Sequence, residues 1–318
     1  MKKVVLVGFG GIGFRYLCGI INIKTKLNII IIDSSNKSLE IGKRRFLKEG
    51  DNRFGHKVEY CNELEMQNSK ADLAIIATTS YKREKLVADV ALKAKPSYWI
   101  LEKVLCQSKE DLETIWLETA DAKNAWVNTP RRSMAWHQKL KKQFYGGRAL
   151  RFSLTGGLWE MACCAIHYID LVAFWTEEFV ISIDNSELNN NWMKSKRPGY
   201  FEIAGKLIIK FSEGTELVLQ SYPGIQNTIL HVELPNKKTW SIDENKGTAH
   251  SSDGIVINGR LEYQSEISQL LVEEILDKGS CELTSLKESI QQHSIFLDAM
   301  LDHWNRSNKC NHRVVPIT

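Results

Sequence analysis

Gly8, Gly10 and Gly13 stand at the spacing G-x-G-x-x-G in a segment that reads VVLVGFGGIGFRYLCG from Val4. Such a loop can hold a pyrophosphate. Gly8 allows a tight turn out of a strand, Gly10 leaves the backbone bare to an approaching phosphate, and Gly13 lets the next helix pack close to the sheet. The free N–H groups and dipole at that helix's start face the anion. Asp33 ends the next apolar run, 20 residues after Gly13. A carboxylate there can accept hydrogen bonds from both ribose hydroxyls and would repel a 2′-phosphate. The chemistry is dinucleotide binding, with NAD favoured over NADP, although Ser34, Ser35 and Lys37 directly after Asp33 would tolerate a phosphate. A buried strand–helix–strand unit that binds nothing is the bland alternative, and it has no need of three glycines and a terminal aspartate.

Lys103 is the second residue of a reactive type. It follows the apolar run 98–101 and Glu102. Moving a hydride to or from a carbinol carbon requires a group that takes the hydroxyl proton. A cationic ring nearby and partial burial would both favour the neutral amine that this task needs. On position alone, a surface lysine at a strand end is an equal reading.

The elements that position these residues follow from the apolar pattern. Residues 4–7 and 29–32 read as strands, and Ile12, Tyr16, Leu17, Ile20 and Ile21 fall on one helix face between them. A helix with Leu39, Ile41, Phe46 and Leu47 precedes a weak strand at 58–61. Short continuous apolar runs at 73–77 and 98–101 suit parallel strands buried on both faces. A helix over 82–94 separates them, and another opens near Ser108 before a last strand at 125–127. This alternation predicts a doubly wound parallel sheet, a Rossmann domain over residues 1–128. Ligands bind such sheets at the carboxyl ends of the strands. Gly8, Asp33, Thr78, Thr79, Ser80, Lys103 and Asn128 would line one crevice there. Residues 129–318 change character. A basic helix (133–145), an alternating strand (148–155) and a helix (159–175) lead into strands at 179–183, 203–211, 216–222, 229–234 and 239–242, with 184–199 read as a loop. Helical patterns return at 262–278 and 285–304. The expectation is an α+β domain with a largely antiparallel sheet.

Composition excludes several classes. The chain has 42 basic and 38 acidic residues spread along its length, so no basic stripe marks a nucleic-acid surface. No apolar run approaches the roughly 20 residues of a membrane span. The start, MKKVVLVGFG, has too short an apolar segment for a signal peptide and runs into the glycine loop. Seven cysteines without a C-x-x-C pair fit thiols in a reducing, cytoplasmic setting, and no Cys/His spacing implies a metal.

The order of motifs resembles the glucose–fructose oxidoreductase and inositol 2-dehydrogenase (Gfo/Idh/MocA) family over essentially the whole length. ADLAIIATTS is similar to that family's D-x-V-x-I-A-T-P-N, with Thr79 and Ser80 in place of Pro and Asn. ILEKV resembles its E-K-P motif, with Val104 for the proline. VNTPRRSMAWHQKLKK is similar to the segment N-x-R-x-x-P-x-x-x-x-L-K that opens the second domain, and MACCAIHYIDL resembles D-x-G-x-H-x-I-D-L. The resemblance implies an NAD(H)-dependent oxidoreductase acting on a sugar, sugar derivative or polyol. Lys103 would relay the proton, His167 would bind the substrate hydroxyl, and Asp170 would be structural. The cofactor would meet Gly8, Phe9, Gly10, Gly11, Ile12 and Gly13, with Asp33, Thr78, Thr79, Ser80, Glu102 and Lys103. The substrate would meet Lys103, Arg131, Glu160, Cys163 and His167. A homodimer or homotetramer built on the open sheet is implied as well.

One departure matters. The family carries an aspartate four residues before the histidine, and this chain has Cys163, a weak acceptor. Glu160, seven residues before His167, lies on roughly the same helical face as a substitute. His167 alone could be a core histidine; Arg131, Arg132 and His137 could equally contact a substrate anion or form a solvated basic face. Two rival functions stand beside oxidoreduction: an NAD-binding regulatory protein without turnover, and an enzyme that recycles NAD in epimerisation or elimination.

Overall fold

In the computed structural model, which describes residues 1–66 and 69–318, the apolar run ahead of Gly8 is a strand, β1 (Lys2–Val7). Helices and strands follow in the order α1 (Gly11–Ile20), β2 (Leu27–Ile32), α2 (Asn36–Glu49), β3 (Lys57–Cys61), β4 (Leu73–Ile76), α3 (Arg83–Ala94), β5 (Tyr98–Glu102), α4 (Lys109–Glu118) and β6 (Asn124–Asn128). A 3-10 turn at Pro130–Ser133 leads to α5 (Ala135–Phe144), β7 (Arg151–Gly156) and α6 (Met161–Thr176). Strands follow without helices: β8 (Val180–Asp184), β9 (Met193–Lys194), β10 (Phe201–Glu202), β11 (Gly205–Phe211), β12 (Glu216–Ser221), β13 (Ile229–Glu233), β14 (Thr239–Asp243), β15 (Thr248–Ser251) and β16 (Val256–Asn258). The chain continues through α7 (Gln264–Lys278), β17 (Thr284–Ser285) and α8 (Leu286–Asn308).

Two units result. The first comprises Met1–Cys106, Glu110–Asn128 and Glu262–Lys287. Its sheet runs β17-β6-β5-β4-β1-β2-β3 and is parallel throughout except for β17. All four residues of β4 are fully buried, as a strand covered by helices on both faces must be. Helix α7 packs on α1: a methyl group at Gly19 would lie 2.3 Å from the Ser265 carbonyl oxygen, so only glycine permits this approach.

The second unit holds Gln107–Lys109, Thr129–Leu261 and Glu288–Thr318. Its sheet runs β16-β15-β14-β13-β7-β12-β11-β8, antiparallel but for the β7–β12 pair. Leu207, Ile209, Leu217 and Leu219 alternate inward and are fully buried. The ring of Trp175 on α6 lies 5.0 Å from Phe144 and 6.0 Å from Phe152, and Phe144 meets Trp240 edge-on at 5.9 Å. Trp175 and Trp240 are among the largest fully buried side chains, and the cluster fixes α5 and α6 over the sheet.

The parallel-plus-antiparallel architecture matches expectation. Three local readings need correction. The stretch 184–199, expected as a loop, contains β9, which pairs with β10 in a short ribbon. The expected strand 203–211 begins at Gly205, whose φ of +116° breaks it from β10. The polar strands β15 and β16 were not foreseen, since TAHS and VIN carry too few apolar residues to show a period. Among the described residues, no helix is long and apolar enough to cross a membrane.

Candidate functional site

The glycine loop turns directly out of β1. Gly8 has φ +92°, and a methyl group there would lie 2.9 Å from the Ala77 carbonyl. A methyl at Gly13 would lie 1.9 Å from the Gly8 oxygen, so α1 can start this close to the strand only with glycine. Gly10 caps α1, and a methyl at Gly10 or Gly11 would meet nothing within 4 Å. The ground in front of the helix is therefore clear for a ligand. Ile12 is half-buried beside it.

Asp33 follows β2 and fastens this loop. Its Oδ2 accepts the Phe9 N–H at 2.7 Å and its Oδ1 the Ser35 N–H at 2.8 Å. The Phe9 ring, 2% exposed, packs 6.2 Å from Phe14 and 5.7 Å from Tyr60, so only its backbone faces the loop. A cavity of about 420 Å³ opens here, lined by Gly8, Asp33, Asn62, Leu64, Thr78 and Leu86 among others. The hydroxyl oxygen of Thr78 is buried and has no hydrogen-bond partner among the described residues. Asn62, Leu64 and Leu86 escaped the sequence reading because the glycine motif carries no signal for them.

The ends of β4 and β5 are joined by one cation. Arg83, 1% exposed, donates to the carbonyl oxygens of Thr78, Glu102, Val104 and Leu105, the last at 2.9 Å. This guanidinium holds the turn carrying Thr78, Thr79 and Ser80 to the turn carrying Lys103. Thr79 is half-exposed and Ser80 is buried. Lys103 is half-exposed just past β5, and its peptide bond to Val104 is cis. Beneath it Glu102, 7% exposed, accepts from the Tyr16 hydroxyl at 3.0 Å and from Asn128 Nδ2 at 2.6 Å. Burial pushes the Glu102 carboxyl above the usual range, against the opposing pull of Asn128, Lys103, Arg83 and Tyr16. Asn128 also donates to Gln264 on α7 at 3.0 Å.

In the second unit, 12 of the 16 residues of α6 are buried. Cys163, Cys164, His167 and Phe174 are the exceptions, and each is half-exposed. Cys163 and His167 are one turn apart on one face. Glu160 precedes the helix with φ +61°, and its carboxylate pairs with Lys196 Nζ at 2.7 Å. A residue absent from the sequence reading lies beside them. Glu202, at the end of β10, accepts the Ala162 N–H at 2.8 Å and the Cys163 N–H at 3.4 Å through Oε2. Burial pushes its carboxyl up to about 8, with the Cys163 thiol adding to the effect and the two N–H groups opposing it.

The basic residues after β6 are internal. Arg131 binds Glu244 bidentately, Nε to Oε1 and Nη2 to Oε2, both at 2.8 Å, with side chains 15% and 11% exposed. The Tyr168 hydroxyl donates to Glu244 at 2.9 Å, and His137 Nε2 stands 3.1 Å from the same carboxylate. Burial works against the charge of Glu244, but the Arg131 guanidinium and His137 hold its carboxyl well below the usual carboxylate range. Arg132 binds fully buried Asp170 at 3.0 and 2.6 Å and reaches Glu288 at 2.8 Å. Neither arginine forms a solvated basic face. Of the expected substrate residues in this unit, Glu160, Cys163 and His167 share one end of α6, while Arg131 is committed to Glu244.

No protein-family model and no curated protein matches the sequence. Solved structures do match its fold. An oxidoreductase from Agrobacterium radiobacter, in complex with NAD+, L-tartaric acid and magnesium, is 15% identical with a TM-score of 0.68, covering 95% of this chain and 96% of its own. Scyllo-inositol dehydrogenase from Lactobacillus casei, with NAD(H) and scyllo-inositol, is 16% identical with a TM-score of 0.66 and coverage of 96% and 97%. Myo-inositol dehydrogenase from the same organism, with NAD(H) and myo-inositol, is 16% identical with a TM-score of 0.67 and coverage of 100% and 98%. These neighbours are oxidoreductases of the kind the motif order resembles. At such identities the likeness is one of fold.

Proposed function

We propose that this chain is an NAD(H)-dependent oxidoreductase acting on a carbinol or carbonyl carbon of a sugar, sugar derivative or polyol. The observation that carries the reading is the clear ground before α1, where Gly8 and Gly13 close the loop, Gly10 and Gly11 leave it bare, and Asp33 stands at its rim. These residues suit a dinucleotide: N–H groups of α1 for the pyrophosphate, Asp33 for the ribose hydroxyls, and the buried Thr78 hydroxyl, which has no partner among the described residues, for a polar group of the ligand. When bound, the nicotinamide supplies the hydride acceptor or donor. Lys103 takes or returns the hydroxyl proton, and His167 binds the substrate oxygen. Several neighbours of the same fold hold NAD(H) with inositols or tartaric acid, which supports both the cofactor and the polyhydroxylated substrate class. Asp33 favours NAD over NADP.

Fluorescence titration with NADH tests the cofactor. A screen of polyols, sugars and sugar nucleotides for absorbance change at the nicotinamide band tests the reaction. Lys103→Ala should abolish turnover and leave NADH affinity within a factor of about 2–3. Full activity in that variant refutes the assigned role. Cys163 favours the rival reading of a nucleotide-binding protein without net turnover, and NADH binding with a silent screen is its signature.

A further inference from the structure

The half-exposed part of α6 that bears His167 offers no carboxylate: the residue one turn earlier is Cys163, and Asp170 one turn later is fully buried against Arg132. Glu160 is nearby, but its carboxylate is drawn to Lys196, which lies 90% in solvent. A second carboxyl reaches the same turn from another element. Glu202, 7% exposed, is carried there by β10, whose neighbouring Phe201 packs 5.0 Å from Trp304 and bonds through its N–H to the Pro316 oxygen at 2.9 Å. Both backbone hydrogen bonds from α6 end on Oε2. That leaves Oε1 available to another partner at a helix end where Cys163, Cys164 and His167 are all half-exposed.

We propose that Glu202 binds a hydroxyl of the substrate through Oε1, one helical turn from His167, and so supplies the carboxyl that Cys163 does not. The proposal rests on the reading of the chain as a polyol oxidoreductase. It also narrows the substrate class: two groups a turn apart suit a molecule with neighbouring hydroxyls over one with an isolated secondary alcohol. The titratable groups around Glu202 are Cys163 on α6, Glu160 before it, and Lys196 between β9 and β10. Burial among the first two keeps the acid protonated up to about 8, so near neutrality Glu202 is a hydrogen-bond donor as well as an acceptor.

The test uses the full chain with the polyol that the wild type turns over best. Glu202→Met, which keeps the side chain's bulk and removes both oxygens, should lower kcat/KM by about 10–100-fold, the loss of one buried hydrogen bond to a substrate hydroxyl. Adding Cys163→Asp to that variant should restore about tenfold or more, because it returns a carboxylate to the same turn. NADH affinity should stay unchanged in both. Glu160→Met should cost less than Glu202→Met. Wild-type kcat/KM should bend near pH 8, and Glu202→Asp should move the bend. The proposal is overturned by near-wild-type activity in Glu202→Met, by failure of Cys163→Asp to rescue a folded Glu202→Met, by the reverse ranking of the two glutamates, or by a flat wild-type profile. A wild type that turns over no polyol instead sinks the functional reading on which the proposal rests.

Discussion

Replacing Arg131 by methionine separates a structural cation from a substrate clamp. Arg131 and Glu244 are 15% and 11% exposed and share two bonds of 2.8 Å. At an effective dielectric near 20, a pair at about 4 Å between charge centres is worth about 4 kcal/mol. Methionine keeps the stem's apolar contacts and deletes the cation, so Glu244 stays buried with only Tyr168 and His137 as partners. The expected loss is about 3–5 kcal/mol. Glu244→Gln alone should cost a similar amount, because it strands the guanidinium. The double variant should lose only about 1–2 kcal/mol, since neither charge remains to be desolvated. Urea unfolding followed by tryptophan fluorescence reads this well, because Trp159 packs against Tyr168 at 5.7 Å and Trp136 against His137 at 5.4 Å. The Glu244 carboxyl is held well below its unfolded value, so its contribution is present above about pH 4.5 and is lost as pH falls through the lower folded value. The gap between wild type and Arg131→Met should therefore narrow in acid. A stability loss under about 1 kcal/mol with a raised KM would refute the structural assignment and restore Arg131 as a substrate ligand.

Two further outcomes follow from the geometry. Gly13→Ala places a methyl 1.9 Å from the Gly8 oxygen and should reduce both the urea midpoint and NADH affinity, whereas Gly10→Ala, facing open space, should leave the midpoint alone and weaken NADH only; equal NADH affinity in Gly10→Ala and wild type would count against the loop as the pyrophosphate site. The Glu202 carboxyl is raised from 4.5 to about 8, so the unfolded chain loses this proton first and folded stability falls as pH rises from about 4.5 to about 8. Glu202→Gln should remove that slope and gain roughly 2–4 kcal/mol relative to wild type between pH 5 and pH 9; parallel pH–stability curves for the two proteins would show that the carboxyl is not perturbed.

The sequence is most legible where parallel strands are buried on both faces. β1, β2, β4 and β5 appear as continuous apolar runs, and the residue types at their ends mark the ligand side of the sheet. What stays hidden is any partnership across many residues. The sequence displays the cation of Arg131, and its partner Glu244 lies 113 positions on. Arg83 reads as one more charge in YKRE, because its acceptors are backbone carbonyls that no residue type announces. Glu202 comes to Cys163 from 39 residues away through a two-residue strand too short to leave a period. The Rossmann frame is a local code, and the chemistry on α6 is written by tertiary approach.

The docking of α7 on α1 has a consequence for how the chain is made. The first unit needs residues 262–287, yet 133 residues of the second unit, 129–261, are synthesised in between. At about 5–20 residues per second, that interval lasts on the order of 10 s, while a helix forms in about a microsecond. The nascent sheet of β1 to β6 therefore waits on the ribosome with the Gly19 side of α1 bare and Asn128 lacking Gln264. Vectorial synthesis makes the two units finish together, and a chain stopped at residue 128 would retain the glycine loop without the helix that packs on the Gly19 end of α1.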